Sequence, residues 1–245
     1  GLNQFIQSKG EVRLSELEVR YPEVSSMTLR RDLEQLERQG QIIRIRGGAK
    51  SLARLSMLKE AAYTQRQAQN INAKMVIADK AVKLLSSGRS IYIDSGTTCM
   101  CLAQRIPDQN LFVLTSAPNI ALELIKNPTV KINITGGQLN RETLTLSGFN
   151  AVEYVKSLNI DQAFIAASAF SLNSGFSCGD YYEAELKRLI IKKAQHVIIL
   201  MDVSKLNGSM PYTFARLQNI HTIITDQPLP EDYQKAVRQA RVVIH

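Results

Sequence analysis

The chain has 245 residues, enough for two domains of unequal size, and carries a net charge of +8. Its 44% hydrophobic and 21% charged shares are those of a globular protein, and no apolar run nears the ~20 residues that span a bilayer, so a cytoplasmic chain outside the membrane is expected. Cys99, Cys101 and Cys178 match neither a disulfide framework nor a zinc motif, and His196, His221 and His245 lie far apart, so no metal or other cofactor is expected.

The charge is concentrated at the start. Residues 1–66 hold 12 Lys+Arg against 8 Asp+Glu, and residues 67–245 hold 18 against 14, so a quarter of the length carries half the excess. Such a patch suits a nucleic acid, although a modest excess also occurs on solvated surfaces.

In chain order, Leu2, Phe5 and Ile6 are spaced as one face of a helix. With no initiator Met, that helix is expected to begin upstream of Gly1. Lys9-Gly10 ends it, and Glu11–Arg13 is a short extended piece. Ser15 is placed to cap a second helix bearing Leu17 and Val19, which Pro22 stops. Ser25 then caps a third, with Leu29, Leu33 and Leu36 as its apolar stripe and Gly40 at its end. Opposite the stripe lie Ser26, Thr28, Arg30 and, near its flank, Arg31. The alternating run from Gln41 to Arg46 is a strand that presents Arg44 and Arg46 and ends at Gly47-Gly48.

Three helices followed by a basic ribbon spell a winged helix-turn-helix, in which the third helix enters the major groove and the wing touches backbone. Short hydroxyls reach phosphates, and guanidinium groups fork onto guanine or phosphate. Taken alone, Arg30 and Arg31 are as well explained as solvated charges beside Asp32 and Glu34. The Ser cap, the short preceding helix and the ribbon together favour DNA.

At Ser25-Ser26-Met27-Thr28-Leu29-Arg30-Arg31-Asp32-Leu33, followed by Arg44-Ile45-Arg46-Gly47-Gly48-Ala49, the chain resembles the DeoR family of bacterial transcriptional regulators. That family's signature is a Ser-x-x-Thr-Ile-Arg-Arg-Asp-Leu helix and a wing ending Arg-x-x-Gly-Gly-Ala. Leu29 replaces the usual Ile, and Arg20–Glu23 departs slightly from the common turn.

Residues 1–50 are thus expected to form the reader, residues 51–70 a partly helical linker, and residues 71–245 an α/β domain. In that domain strands alternate with helices: Arg89–Ile93, Leu111–Thr115, Val130–Ile134, Gln162–Ile165, His196–Met201 and Ile220–Ile224 are the strands. The alternation implies a largely parallel, Rossmann-like sheet covered on both faces, with ligands at the carboxyl ends of its strands. Polar clusters fall at those ends: Asp94-Ser95-Gly96-Thr97-Thr98, Thr115-Ser116, Gly136-Gly137, and Asp202 to Lys205. In the first, a strand breaks at Ser-Gly and restarts as a helix, exposing N–H groups and hydroxyls that favour phosphate. Lys205 can meet phosphate or carboxylate. Each cluster alone is ordinary loop chemistry; four at corresponding ends suggest a pocket for a small, phosphorylated, hydroxyl-rich molecule.

The same stretches extend the resemblance over nearly the whole chain, adding Gly148, Asp161 with Phe164, Gly175, Glu183 with Lys187, and Thr225-Asp226. It implies a sensor domain whose fold resembles ribose-5-phosphate isomerase and acetyl-CoA transferases, and places Glu183 and Lys187 in the effector site. It further implies a repressor of carbohydrate or nucleoside metabolism that binds double-stranded operator DNA and responds to a phosphorylated sugar. Two departures stand out. The usual Thr-Asn-Ser is Thr115-Ser116-Ala117, which removes an amide and a hydroxyl; the usual Gly-rich turn after the Phe is Ala166–Ala169, which narrows the pocket.

Two rivals are an isomerase-like enzyme with Glu183, Glu185 or Asp161 as base, and a DNA-binding protein whose second domain only oligomerises. Glu183 and Glu185 lie i, i+2 on a helix and cannot form a carboxylate pair, and fold alone licenses no activity. Two-fold operators make a homodimer or homotetramer the expected assembly.

Overall fold

The computed structural model describes residues 2–9, 11–38, 41–45, 47–51 and 61–245. The expected stops at Gly10 and Gly40, the wing residue Arg46 and linker residues 52–60 lie outside the described residues. The chain divides into two compact units, Gly1–Lys59 and Glu60–His245.

The first unit runs α1 (Leu2–Lys9), β1 (Glu11–Arg13), α2 (Leu14–Arg20), α3 (Ser26–Arg38), β2 (Ile42–Ile45) and β3 (Gly48–Ser51). The helices close over Ile6, Val12, Leu17, Leu29, Leu33 and Ile42, so the Leu stripe does face a core. The strands form an antiparallel sheet in the order β1-β3-β2. Here the sequence reading is corrected: the ribbon does not end at Gly47-Gly48 but turns there into a third strand. Gly48 is needed because a Cβ would sit 2.1 Å from the carbonyl oxygen of Val12 on the neighbouring strand. Ser15 does not cap α2 either. The helix begins at Leu14 with Arg13 at its N-cap, and Glu16 Oε2 accepts from the backbone N–H of Arg13 at 3.1 Å.

The second unit begins with α4 (Tyr63–Ala68), followed by α5 (Ile71–Ala81). The first of these falls in the stretch read as linker, yet Tyr63 is buried and its hydroxyl accepts from Asn119 Nδ2 at 2.8 Å. Residues 61–70 therefore belong to this unit. Next come β4 (Ser90–Ile93), α6 (Thr97–Ala103), β5 (Leu111–Thr115), α7 (Pro118–Leu124), β6 (Val130–Ile134), the hairpin β7 (Gln138–Asn140) and β8 (Thr145–Ser147), and α8 (Phe149–Lys156). The chain continues through β9 (Ile160–Ala166), β10 (Ala169–Ser171), β11 (Gly175–Cys178), α9 (Tyr181–Lys193), β12 (Ala194–Leu200), β13 (Tyr212–Ala215), β14 (Thr222–Ile224), α10 (Glu231–Gln239) and β15 (Val243–Ile244).

Seven strands pair in parallel in the order β15-β14-β12-β9-β4-β5-β6. Period-two alternation sorts their side chains between two cores. Ile91, Ile93, Val113, Phe164, Ile198 and Leu200 face α5, α6 and α7. Tyr92, Leu114, Ala163, Ile165, Val197 and Ile199 face α8, α9 and α10. The strand order reverses between β4 and β9, and the crevice at such a reversal is where doubly wound sheets bind ligands. Two small antiparallel pieces, β7–β8 and β10-β11-β13, stand outside this sheet.

Candidate functional site

In the first unit Ser25 precedes α3 and its Oγ accepts from the backbone N–H of Thr28 at 3.2 Å, an N-cap. The same Oγ lies 2.9 Å from Thr28 Oγ1, and Ser26 Oγ donates to Glu18 Oε1 of α2 at 2.5 Å. The hydroxyls read as outward contacts thus already have partners within the domain. Arg30 and Arg31 are exposed. Arg44 is engaged: its Nε lies 2.9 Å from Glu37 Oε2, and its backbone N–H donates to Glu37 Oε1 at 3.0 Å. That backbone bond, more than the guanidinium, holds the Glu37 carboxyl below its ordinary range. Met27, passed over in the sequence, is 83% exposed on the first turn of α3.

In the second unit Asp94, just past β4, is a hub. Its Oδ2 accepts from Lys187 Nζ at 2.6 Å and from the backbone N–H of Ala166 at 3.0 Å; its Oδ1 accepts from Tyr92 Oη at 3.1 Å. It therefore ties the end of β4 to the end of β9, across the reversal in strand order. Lys187 pairs with Glu183 Oε1, one turn earlier on α9, at 3.0 Å and reaches to the carbonyl oxygen of Ala166 at 2.8 Å. All three charges are buried. Burial opposes the ammonium, but Asp94 and Glu183 outweigh it and hold Lys187 well above its ordinary pKa. Burial, then the Asp94 charge, pushes the Tyr92 phenol up.

The network continues to neighbouring strands. Tyr92 Oη lies 2.9 Å from Ser116 Oγ, and Thr145 Oγ1 donates to Ser95 Oγ at 2.6 Å. Thr115 Oγ1 accepts from the Ala117 backbone at 3.1 Å. Thr97 and Thr98 open α6 and are buried. Gly96 has φ +111°, and a Cβ there would meet only the Ala166 Cβ, at 3.5 Å. Ala166, standing where the family pattern has a glycine-rich turn, narrows this space directly.

Gly136 and Gly137 follow β6, both with positive φ, and a Cβ on Gly137 would lie 2.3 Å from the Ser147 carbonyl oxygen. Gly137 lines a cavity of about 520 Å³ with Asn140, Gly148, Phe149, Asp180 and Tyr182. Gly148, at the start of α8, carries the family resemblance and lines this cavity, outside the residues expected to bind effector.

Asp202 and Lys205 lie beyond β12, two strands from β4, and form a separate group. Asp202 Oδ1 accepts from Asn70 Nδ2 at 3.3 Å and the Ser204 N–H at 3.1 Å; its Oδ2 is buried with no hydrogen-bond partner among the described residues. Lys74 is buried nearby and donates to the carbonyl oxygens of Arg66 and Gln69. Burial, then the Lys205 charge, lowers its pKa. Tyr92, Thr145, Asn70 and Lys74 join these networks through contacts that the sequence does not display. The sequence showed Tyr92 only as a strand residue, and the partners of the others lie far along the chain.

No group of three or more His, Cys, Asp or Glu placed to hold a metal occurs among the described residues. Among them no helix is long and apolar enough to cross a membrane.

Comparison with known proteins covers both units. Residues 1–54 match the DeoR-like helix-turn-helix domain, and residues 69–227 match the DeoR C terminal sensor domain. The chain is 35% identical over 221 residues to the HTH-type transcriptional regulator GlpR of Haloferax volcanii, covering 90% of this chain and 86% of that protein. It is 28% identical over 231 residues to the glycerol-3-phosphate regulon repressor of Escherichia coli K12, covering 94% of this chain and 90% of that protein. Among solved structures, ribose 5-phosphate isomerase A of Methanocaldococcus jannaschii aligns over 56% of this chain and 55% of its own, with a TM-score of 0.43 and 16% identity.

Proposed function

The chain belongs to the DeoR family of transcriptional regulators, and on that premise we propose that it represses a carbohydrate or nucleoside operon under control of a phosphorylated sugar. In this reading α3 enters the major groove of operator DNA, with Arg30 and Arg31 outward and the wing against backbone. The sugar phosphate enters at the carboxyl ends of the central strands. Its phosphate lies against Gly96, Thr97 and Thr98, and its hydroxyls face the surrounding polar groups.

The observation that carries this reading is the positive-φ Gly96 at the reversal of strand order. There the lack of a side chain on Gly96 lets the backbone N–H groups at the start of α6 face an anion. Lys187 bridges both buried carboxylates and offsets one of their two charges, which lessens their repulsion of a phosphate. The same bridge argues against an isomerase: both Asp94 and Glu183 are ion-paired to Lys187, whereas proton transfer needs a carboxylate base directed at the substrate. The relatives are named as regulators, and this chain is a regulator, not an enzyme. The name of the glycerol-3-phosphate regulon repressor supports a polyol phosphate as ligand class. An operator with two-fold symmetry would be met by a homodimer or homotetramer.

Calorimetry with a panel of sugar phosphates and their unphosphorylated parents tests the pocket. Thr97→Val deletes one hydroxyl at nearly constant volume and should weaken the phosphate about tenfold to a hundredfold, the worth of a hydrogen bond to a charged group. Gly96→Val should abolish binding through φ and bulk. Lys205→Ala should cost as much as Thr97→Val if its ammonium reaches the phosphate. Operator binding without effector should persist in all three. Equal affinity for phosphorylated and parent sugars would overturn the phosphate site.

A further inference from the structure

The outward face of α3 has an apolar centre. A helix turns about 100° per residue, so Met27, Arg30 and Arg31 fall within about 100° of one another, and the buried stripe of Leu29, Leu33 and Leu36 lies on the opposite side. Met27 is at the middle of this face and is 83% exposed. The hydroxyls beside it point elsewhere: Ser25 caps the helix and lies against Thr28, and Ser26 bonds Glu18. What α3 presents outward on its first two turns is one flexible thioether flanked by two guanidinium groups.

We infer that Met27 is a specificity-determining residue that reads the 5-methyl group of a thymine in the major groove. This rests on the proposed reading of α3 as the groove-entering helix. The two arginines complement phosphate and guanine, so the occupant of this face is DNA rather than an apolar protein surface. Among the groups that base edges present in the major groove, the thymine methyl is the apolar one. An exposed methionine is a poor choice for a solvated position. It becomes favourable when its methylene and thioether surface is covered, and its unbranched chain can adjust to a methyl contact. Arg30 and Arg31 would anchor the helix and set the register in which Met27 meets its base.

The test uses the full chain and two randomised duplex pools, one with thymine and one with uracil in its place, which lacks only the methyl. The wild-type protein should enrich a motif from the thymine pool with thymine fixed at one position of each half-site. That preference should vanish from the motif enriched from the uracil pool. Met27→Ala, whose urea midpoint should match the wild type because the side chain is exposed, should lose the preference even in the thymine pool. On a duplex taken from the selection, thymine to uracil at that position should weaken the wild type about fourfold, the effect of exposing one methyl-sized group, and leave Met27→Ala unchanged. A preference that survives in the uracil pool, or in Met27→Ala, overturns the inference while leaving the DNA reading of α3 intact. Failure of the wild type to enrich any motif overturns both.

Discussion

The two units place charge in opposite ways. In the first, Arg30 and Arg31 stand in solvent on a helix whose buried stripe is purely apolar. In the second, Asp94, Lys187 and Glu183 are buried by the carboxyl ends of β4 and β9, with Lys187 holding both carboxylates. A surface that meets a large polyanion needs charges free to move onto it, and removing one leaves the fold unaffected. A pocket for a small anion needs fixed dipoles and compensated charge, so its groups are coupled to one another and to stability. The same residue types are therefore replaceable in one unit and structural in the other.

The largest effect should come from breaking the buried bridge. Lys187→Met leaves two carboxylates buried without their cation, and such losses cost about 3–5 kcal/mol. Urea unfolding of the second unit should show a drop of that size; a drop under about 1 kcal/mol would mean that the three charges are solvated, not sealed.

Next is the exposed pair. Arg30→Ala with Arg31→Ala should weaken operator binding by about 1–3 kcal/mol for each good contact, read by gel shift at fixed salt. Unfolding should change by less than about 0.5 kcal/mol, as for ordinary surface substitutions. Retained operator affinity would remove α3 from the interface. A smaller gain tests the wing. Glu37→Gln releases Arg44 from its carboxylate partner, and operator affinity should rise slightly, most visibly at low salt. Unchanged affinity at every salt concentration would show that Arg44 contacts no phosphate.

The smallest effect concerns Tyr63, whose phenol burial pushes up to about 12, against the hydrogen bond from Asn119. An acid whose pKa is raised on folding favours the folded state below its unfolded pKa of about 10 and loses that contribution as pH rises toward 12. Tyr63→Phe should therefore flatten the fall in stability over that window, followed by fluorescence at stepped pH. An identical fall in the variant would place the tyrosine in solvent and return residues 61–70 to a linker.

Much of this was legible from the sequence because it is written locally. The turn from Ile93 to Thr97 follows from a β-branched run that breaks at Ser-Gly, and the reader from its Leu stripe and Ser25 cap. What escaped depends on contacts distant in sequence. Arg44 looked like a free wing charge because Glu37 comes to it only when β2 folds back beside α3. Asp94 looked like a ligand group because Lys187, 93 residues away, is what claims it. The pieces β7–β8 and β10-β11-β13 are three or four residues per strand, too short for a period to show. Met27 was different, since helical phase alone places it opposite Leu29 and Leu33.

The coupling of the two units is tested most directly by operator affinity, followed by fluorescence anisotropy, with and without saturating sugar phosphate. The account predicts that one member of a sugar-phosphate panel changes the affinity at least about fivefold, the lower end of ordinary allosteric coupling, and that its unphosphorylated parent does not. Gly96→Val should bind operator normally and ignore the same ligand. Operator affinity that is identical across the whole panel, in a protein whose melting temperature no member raises, would contradict it.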